Sequence, residues 1–162
     1  RENFGKPLEN ICTALEELVH IYGKNIHIVY PVHLNPNVKN VVIPRLGKLS
    51  EHITLLPPLD YLPMVHLMKH ATLVLTDSGG LQEEAPGLGI PVLVMRETTE
   101  RPEGIAAGTV KLVGTEIEKI VQATCNLLNN SQEYNTMAQA VNPYGDGKTS
   151  ERIARALMQY PA

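Results

Sequence analysis

The sequence predicts an α/β domain of three layers, helices on both faces of a parallel sheet. Five short apolar stretches, almost unbroken by polar residues, read as strands buried on both sides. Segments with helical periodicity separate them, the pattern of a parallel α/β fold. A Gly-Gly turn also follows directly on one strand and opens a helix, the usual junction at the carboxyl edge of such sheets.

The elements follow in order. Leu8, Ile11, Leu15, Leu18 and Tyr22 recur at helical spacing after Pro7, which suits a first turn, and Gly23 ends that helix. Ile26 to Tyr30 is the first strand; residues 31–36 form a loop, and a helix follows from about Asn37 to Gly47. Ile53 to Leu56 is a strand closed by Pro57-Pro58, and Asp60 is placed to cap a helix reaching about His70. Leu73 to Thr76 is a third strand, then the Gly turn, then a short helix that Pro86 must end, kink or restart. Pro91 to Met95 and Thr109 to Val113 are the last two strands, separated by a polar, charge-rich loop. Helices of about 116–129, 132–140 and 150–159 complete the chain.

The 162 residues are read as one domain over 1–162, long enough to bury about 70% of the surface exposed by the unfolded chain. A formal charge of −3 supplies no basic field for nucleic acid or an anionic membrane, so bound phosphate would have to be held by local geometry. No apolar run is long enough for a membrane helix, and no signal peptide is evident. Cys12 and Cys125 read as reduced helix residues, and neither they nor the six histidines show metal-binding spacing. The chain begins at Arg1 in a helix, so a doubly wound sheet of order 3-2-1-4-5-6 would lack its central first strand. It reads as the back half of a longer protein.

Chemistry concentrates between Leu75 and Thr109. A strand, a Gly turn and a helix start leave backbone N–H groups at the positive end of a helix dipole, which favours phosphate. Ser78 can offer hydroxyl and N–H, while Gly79 and Gly80 let a ligand approach the backbone. On spacing alone, a Ser-capped structural turn fits equally well. Asp77 is expected to shape the turn, and Glu83 to serve the helix dipole. Glu84 is one turn further along, facing back toward the turn, where its carboxylate could accept from ribose hydroxyls. Arg96, Arg101 and Glu103 lie beyond a strand's carboxyl end, where open α/β sheets bind ligands; a solvated salt-bridge cluster fits, but beside the Ser-Gly-Gly turn an arginine for diphosphate is the better reading. His33 holds a similar position after the first strand. There is no GxGxxG, GxxxxGK[ST] or GxSxG device.

DSGGLQEEAP (77–86) followed by GIPVLVMRETTERPEGIAAGT (89–109) closely resembles non-hydrolysing UDP-N-acetylglucosamine 2-epimerase. VYPVHLNP (29–36), PLDYLPMVHLM (58–68), KLVGT (111–115) and NPYGDGKTS (142–150) extend the resemblance, and RENFG at the start is similar to the tail of the family's HRREN motif. It covers essentially the whole chain, but only the carboxyl-terminal domain of the family's two Rossmann-like domains in GT-B arrangement. The resemblance implies interconversion of UDP-GlcNAc and UDP-ManNAc by elimination and re-addition of UDP, without a cofactor. Ser78, Gly79 and Gly80 would hold the diphosphate, Glu84 the ribose, and Arg101 the phosphate side of the nucleotide. Residues 59–64, with Leu59 and Met64, would line the uracil pocket, Met64 replacing a frequent aromatic with a thioether. Arg1 and His33 resemble residues of a second, activating UDP-GlcNAc site.

The family's catalytic histidine would fall two positions ahead of Arg1, and its acid/base carboxylates in the amino-terminal domain. No catalytic residue is therefore assigned here, and the chain alone is expected to be inactive. The full-length enzyme is expected to be a cytoplasmic homodimer. A hydrolysing 2-epimerase, a GT-B glycosyltransferase donor domain and a non-enzymatic UDP-sugar sensor share the phosphate turn. The TTERPE loop together with NPYGDG favours the non-hydrolysing 2-epimerase.

Overall fold

The structure, a computed structural model, describes residues 3–160. Helix α1 (Lys6–Tyr22) carries Pro7 in its first turn and turns Leu8, Ile11, Leu15 and Leu18 inward on one stripe. Its chain leaves through Gly23, whose φ of 49° suits a residue without Cβ. Strand β1 (Ile28–Pro31) begins two residues later than the periodicity predicts, and α2 (Pro36–Leu46) starts where the Asn35 side chain accepts from the Asn37 N–H at 2.9 Å. After β2 (Ile53–Leu56), Asp60 holds the N-cap position of α3 (Tyr61–Lys69), but its side chain makes no capping bond. Strand β3 (Val74–Thr76) runs into α4 (Gly79–Glu84), which passes into a 3₁₀ turn at Pro86–Leu88, as Pro86 requires. Strands β4 (Val92–Val94) and β5 (Val110–Leu112) and helices α6 (Ile117–Asn129), α7 (Ser131–Ala138) and α8 (Thr149–Gln159) follow.

The segment between β4 and β5 is not all loop. Helix α5 (Pro102–Ala107) lies within it, with Pro102 in the first turn and Gly108 at φ 78° behind it. Arg101 at its N-cap cannot supply a capping oxygen. The Tyr144 hydroxyl does so from 40 residues away, accepting from the Gly104 N–H at 3.0 Å. That approach requires glycine, because a Cβ on Gly104 would stand 2.7 Å from the Tyr144 hydroxyl.

The strands are all parallel but form two sheets, β1-β2 and β3-β4-β5, instead of one. The break falls between β1 and β3, where the doubly wound order places its first strand. Ladder alternation tells which groups face the break. Ile28 and Val32 donate to His52 and Leu56 of the β2 side, so the peptide groups of Val29 point the other way. Val74 donates to Pro91 and Thr76 accepts from Met95, so those of Leu75 point toward β1.

Successive β4 side chains serve opposite layers. Leu93 joins a core with α1, α6, Val42, Leu46 and Ile53, while Val92 and Val94 join Met68, Val74, Ala85 and Val110 on the other side. The first core spans both sheets and holds them together in the absence of hydrogen bonds between them. Arg45 fastens α2 to α1, with a two-pronged contact to Glu16 (3.1 and 2.6 Å), a bond to Thr13 Oγ1 and one to the Glu9 carbonyl. The covering expected on both faces is incomplete at β1, where His27 and Val29 are exposed.

Candidate functional site

The predicted ligand residues gather at the carboxyl ends of β3 and β4. Ser78 is the N-cap residue of α4, yet its side chain makes no capping bond, so the hydroxyl is not used as an ordinary structural cap. Its N–H is engaged, donating to Thr76 Oγ1 at 3.0 Å. The expectation that Ser78 offers both groups is corrected on this point: in this structure the hydroxyl remains, and the first-turn amides of Gly79 and Gly80 have no acceptor within the helix. Gly80 lies between Ser78 and Glu84; a Cβ there would stand 3.6 Å from Glu84 Oε1 and 3.9 Å from Ser78 Oγ. Serine hydroxyl, glycine backbone and glutamate carboxylate are therefore neighbours at the start of α4.

The 96–101 loop folds back over this turn at three points. Thr99 Oγ1 donates to Gln82 Oε1 at 2.6 Å. The Glu100 carboxylate approaches Gly79, 3.6 Å from where a Cβ would be. Arg101 Nε donates to Glu83. Glu83, read from sequence as a first-turn helix-dipole residue, lies beyond the first turn of α4, which holds no acidic residue, and is instead the partner of Arg101 where the loop returns across the helix. Arg96 pairs with both oxygens of Glu100 at 3.2 and 3.1 Å, and its hydrogen bonds and charge hold the Glu100 carboxyl below the usual Glu range. The loop arginines form the salt-bridge cluster that the sequence allows, Arg96 with Glu100 and Arg101 with Glu83, in pairs that stay partly open to solvent. Glu97 turns the other way, accepting from the Thr115 N–H at 3.2 Å and tying the loop to the start of α6.

Asn3 is a site neighbour that sequence reasoning missed. Its side-chain amide donates to the Met95 carbonyl at 3.0 Å and to Asp77 at 3.3 Å, laying the segment before α1 across the ends of β3 and β4. Asp77 is exposed, and its charge adds, after burial and Cys12, to the causes that push the Tyr30 hydroxyl up to about 12. Gln82, Thr99 and Tyr144 were also missed. The i,i+4 spacing from Ser78 to Gln82 was the one signal available for Gln82, whose amide donates to the Ser78 carbonyl at 3.2 Å.

Leu59 and Met64 are half-buried, Met64 packing against the core beneath α3 and α4. His33 stands beyond the carboxyl end of β1, where Nδ1 accepts from the Asn35 N–H at 3.1 Å. Arg1 lies outside the described residues. Among those residues no cluster of three His, Cys, Asp or Glu could hold a metal ion, and no helix is long and apolar enough to cross a membrane.

The model of the UDP-N-acetylglucosamine 2-epimerase family matches residues 1–158. A UDP-N-acetylglucosamine 2-epimerase of Salmonella typhimurium is 58% identical over 160 residues, 99% of this chain and 42% of that protein. The crystal structure of UDP-GlcNAc 2-epimerase from Neisseria meningitidis bound to UDP-GlcNAc superposes with a TM-score of 0.93 at 45% identity, covering 99% of this chain and 43% of that one. An S. aureus co-structure with UDP gives a TM-score of 0.93 at 46% identity, again covering 99% and 43%. The chain thus spans less than half the length of these relatives, as one domain of a two-domain GT-B fold does. In sequence, in fold and in the motifs around its Gly-Gly turn, the chain belongs to the UDP-N-acetylglucosamine 2-epimerase family.

Proposed function

We propose that this chain forms the nucleotide-holding wall of a non-hydrolysing UDP-GlcNAc 2-epimerase, a cytoplasmic homodimer that interconverts UDP-GlcNAc and UDP-ManNAc by eliminating and re-adding UDP. The observation that carries the reading is the grouping of Ser78 Oγ, the Gly79-Gly80 backbone and the Glu84 carboxylate at the start of α4, beside a loop bearing two arginines that contacts Gln82 and Glu83. The solved relatives with UDP-GlcNAc and UDP align over 99% of the chain and support it.

In this reading the Ser78 hydroxyl and the glycine amides receive the diphosphate, and Glu84 accepts from the ribose hydroxyls. Leu59 and Met64 flank the base. Arg101 faces the phosphates from the position Glu83 gives it, and its charge stabilises UDP as the leaving group, whose negative charge grows as the sugar–oxygen bond breaks. The chain binds and orients the nucleotide. The groups that move the C2 proton belong to the rest of the full-length enzyme, and His33 with Arg1 contributes to a second UDP-GlcNAc site.

Calorimetric titration of UDP and UDP-GlcNAc into the chain and its Ser78→Ala and Glu84→Ala variants tests the assignment. Each variant is expected to weaken UDP binding roughly 5- to 20-fold, the loss of one or two polar contacts to a charged ligand. UDP binding that neither substitution alters would refute the site. The purified chain is expected to form no UDP-ManNAc, and its formation would refute the division of labour.

A further inference from the structure

Gln82 is 0% exposed, and both ends of its amide are used. A buried amide is costly unless each polar atom is paired, and an apolar side chain would pack there without that requirement. The direction of each bond is set by chemistry. The Ser78 carbonyl can only accept, so Gln82 Nε2 donates to it and Oε1 faces Thr99. The Thr99 hydroxyl must then donate to Gln82, which leaves its oxygen to accept from the Arg101 N–H at 3.0 Å. The result is a one-directional relay from the Arg101 backbone through Thr99 and Gln82 to the peptide before Gly79. Bonds aligned this way polarise one another.

We infer that Gln82 and Thr99 are positioning residues that couple the Ser-Gly-Gly turn to the Arg101 end of the 96–101 loop. The inference rests on the nucleotide-site reading above and adds how that site is kept in register. The relay joins the two sides between which a diphosphate would sit, and neither Gln82 nor Thr99 needs to touch the ligand. The Arg101–Glu83 pair fixes the guanidinium, while the relay fixes the backbone from which it extends.

The test is UDP titration into the unaltered chain, Thr99→Val, Thr99→Ser and Arg101→Ala, and the Thr99→Val/Arg101→Ala double variant. Thr99→Val keeps the shape and removes the hydroxyl; Thr99→Ser keeps the hydroxyl and removes a methyl. Thr99→Val is expected to weaken UDP binding about 3- to 10-fold, the worth of one or two hydrogen bonds, with Thr99→Ser within roughly twofold of the unaltered chain. In the Arg101→Ala background the Thr99→Val penalty is expected to shrink, since the loop then has less to position. A purely structural role would instead give the same penalty in both backgrounds. Equal UDP affinity for Thr99→Val and the unaltered chain, or a penalty undiminished beside Arg101→Ala, overturns the coupling and leaves the site reading standing. Failure of the unaltered chain to bind UDP overturns the site reading and the coupling with it.

Discussion

The three-stranded sheet under the Gly-Gly turn and the two-stranded sheet beside it share geometry but not constraint. In β4, Val92, Leu93 and Val94 are all 0% exposed, whereas Val29 of β1 is 36% exposed. The loops at the carboxyl ends of β3–β5 are cross-braced: Asn3 holds Asp77 and Met95, Gln82 holds Thr99, Glu97 holds Thr115, and Tyr144 holds α5. The loop beyond β1, with His33, is organised by local turn bonds within residues 33–37. Precision at a ligand site comes from rigid support beneath and bracing between its loops. The residues proposed to hold the diphosphate have both, and the His33 side of the molecule has neither to the same degree.

The largest expected effect tests the difference in packing. Leu93→Ala removes a fully buried side chain from the core that both sheets share and should cost about 2–5 kcal/mol of stability in urea unfolding. Val29→Ala on β1 should cost about 0.5–1 kcal/mol, since less apolar area is lost from contact. Equal costs would mean that the two sheets are not constrained differently.

A smaller effect probes the bracing. Tyr144→Phe removes the hydroxyl that accepts from the Gly104 N–H and should cost about 1 kcal/mol. Hydrogen exchange is the sharper measurement: amides at the start of α5 should exchange faster while those of α2 keep their rates. A change spread evenly over both helices would argue against a local brace.

The smallest effect concerns charge. Glu100 is held below the ordinary Glu range by its bonds to Arg96, then by the charges of Arg96 and Arg101. A lowered folded-state value means that the pair's contribution is complete above the ordinary Glu range and is lost as pH falls through the lowered value. The Glu100 carboxyl carbon, followed by NMR, should therefore titrate below the ordinary Glu range, and Arg96→Met should raise its midpoint. A midpoint unmoved by Arg96→Met would remove this pair from the account of the loop.

Much of the fold was legible because it depends on neighbours in sequence. Apolar periodicity located α1 and α6, Gly23 and Pro86 marked ends that the backbone respects, and the Gly-Gly turn marked the passage from β3 into α4. Helix α5 was hidden by its composition, since its cap comes from Tyr144 instead of Arg101. The Arg101–Glu83 pairing was hidden for a related reason: Glu97, Glu100 and Glu103 are all nearer to the arginine in sequence than the carboxylate it contacts.

By itself the sequence determined the parallel α/β class, the place of the Gly-Gly turn between strand and helix and, through its motifs, the family. Those rest on local preferences, short-range periodicity and residue types at set spacing. Tertiary structure alone decided that the strands form two sheets, that Arg101 meets Glu83, and that Gln82 joins the turn to the loop. The physical reason is that a loop's side chains choose their partners only after packing has decided which loops lie side by side.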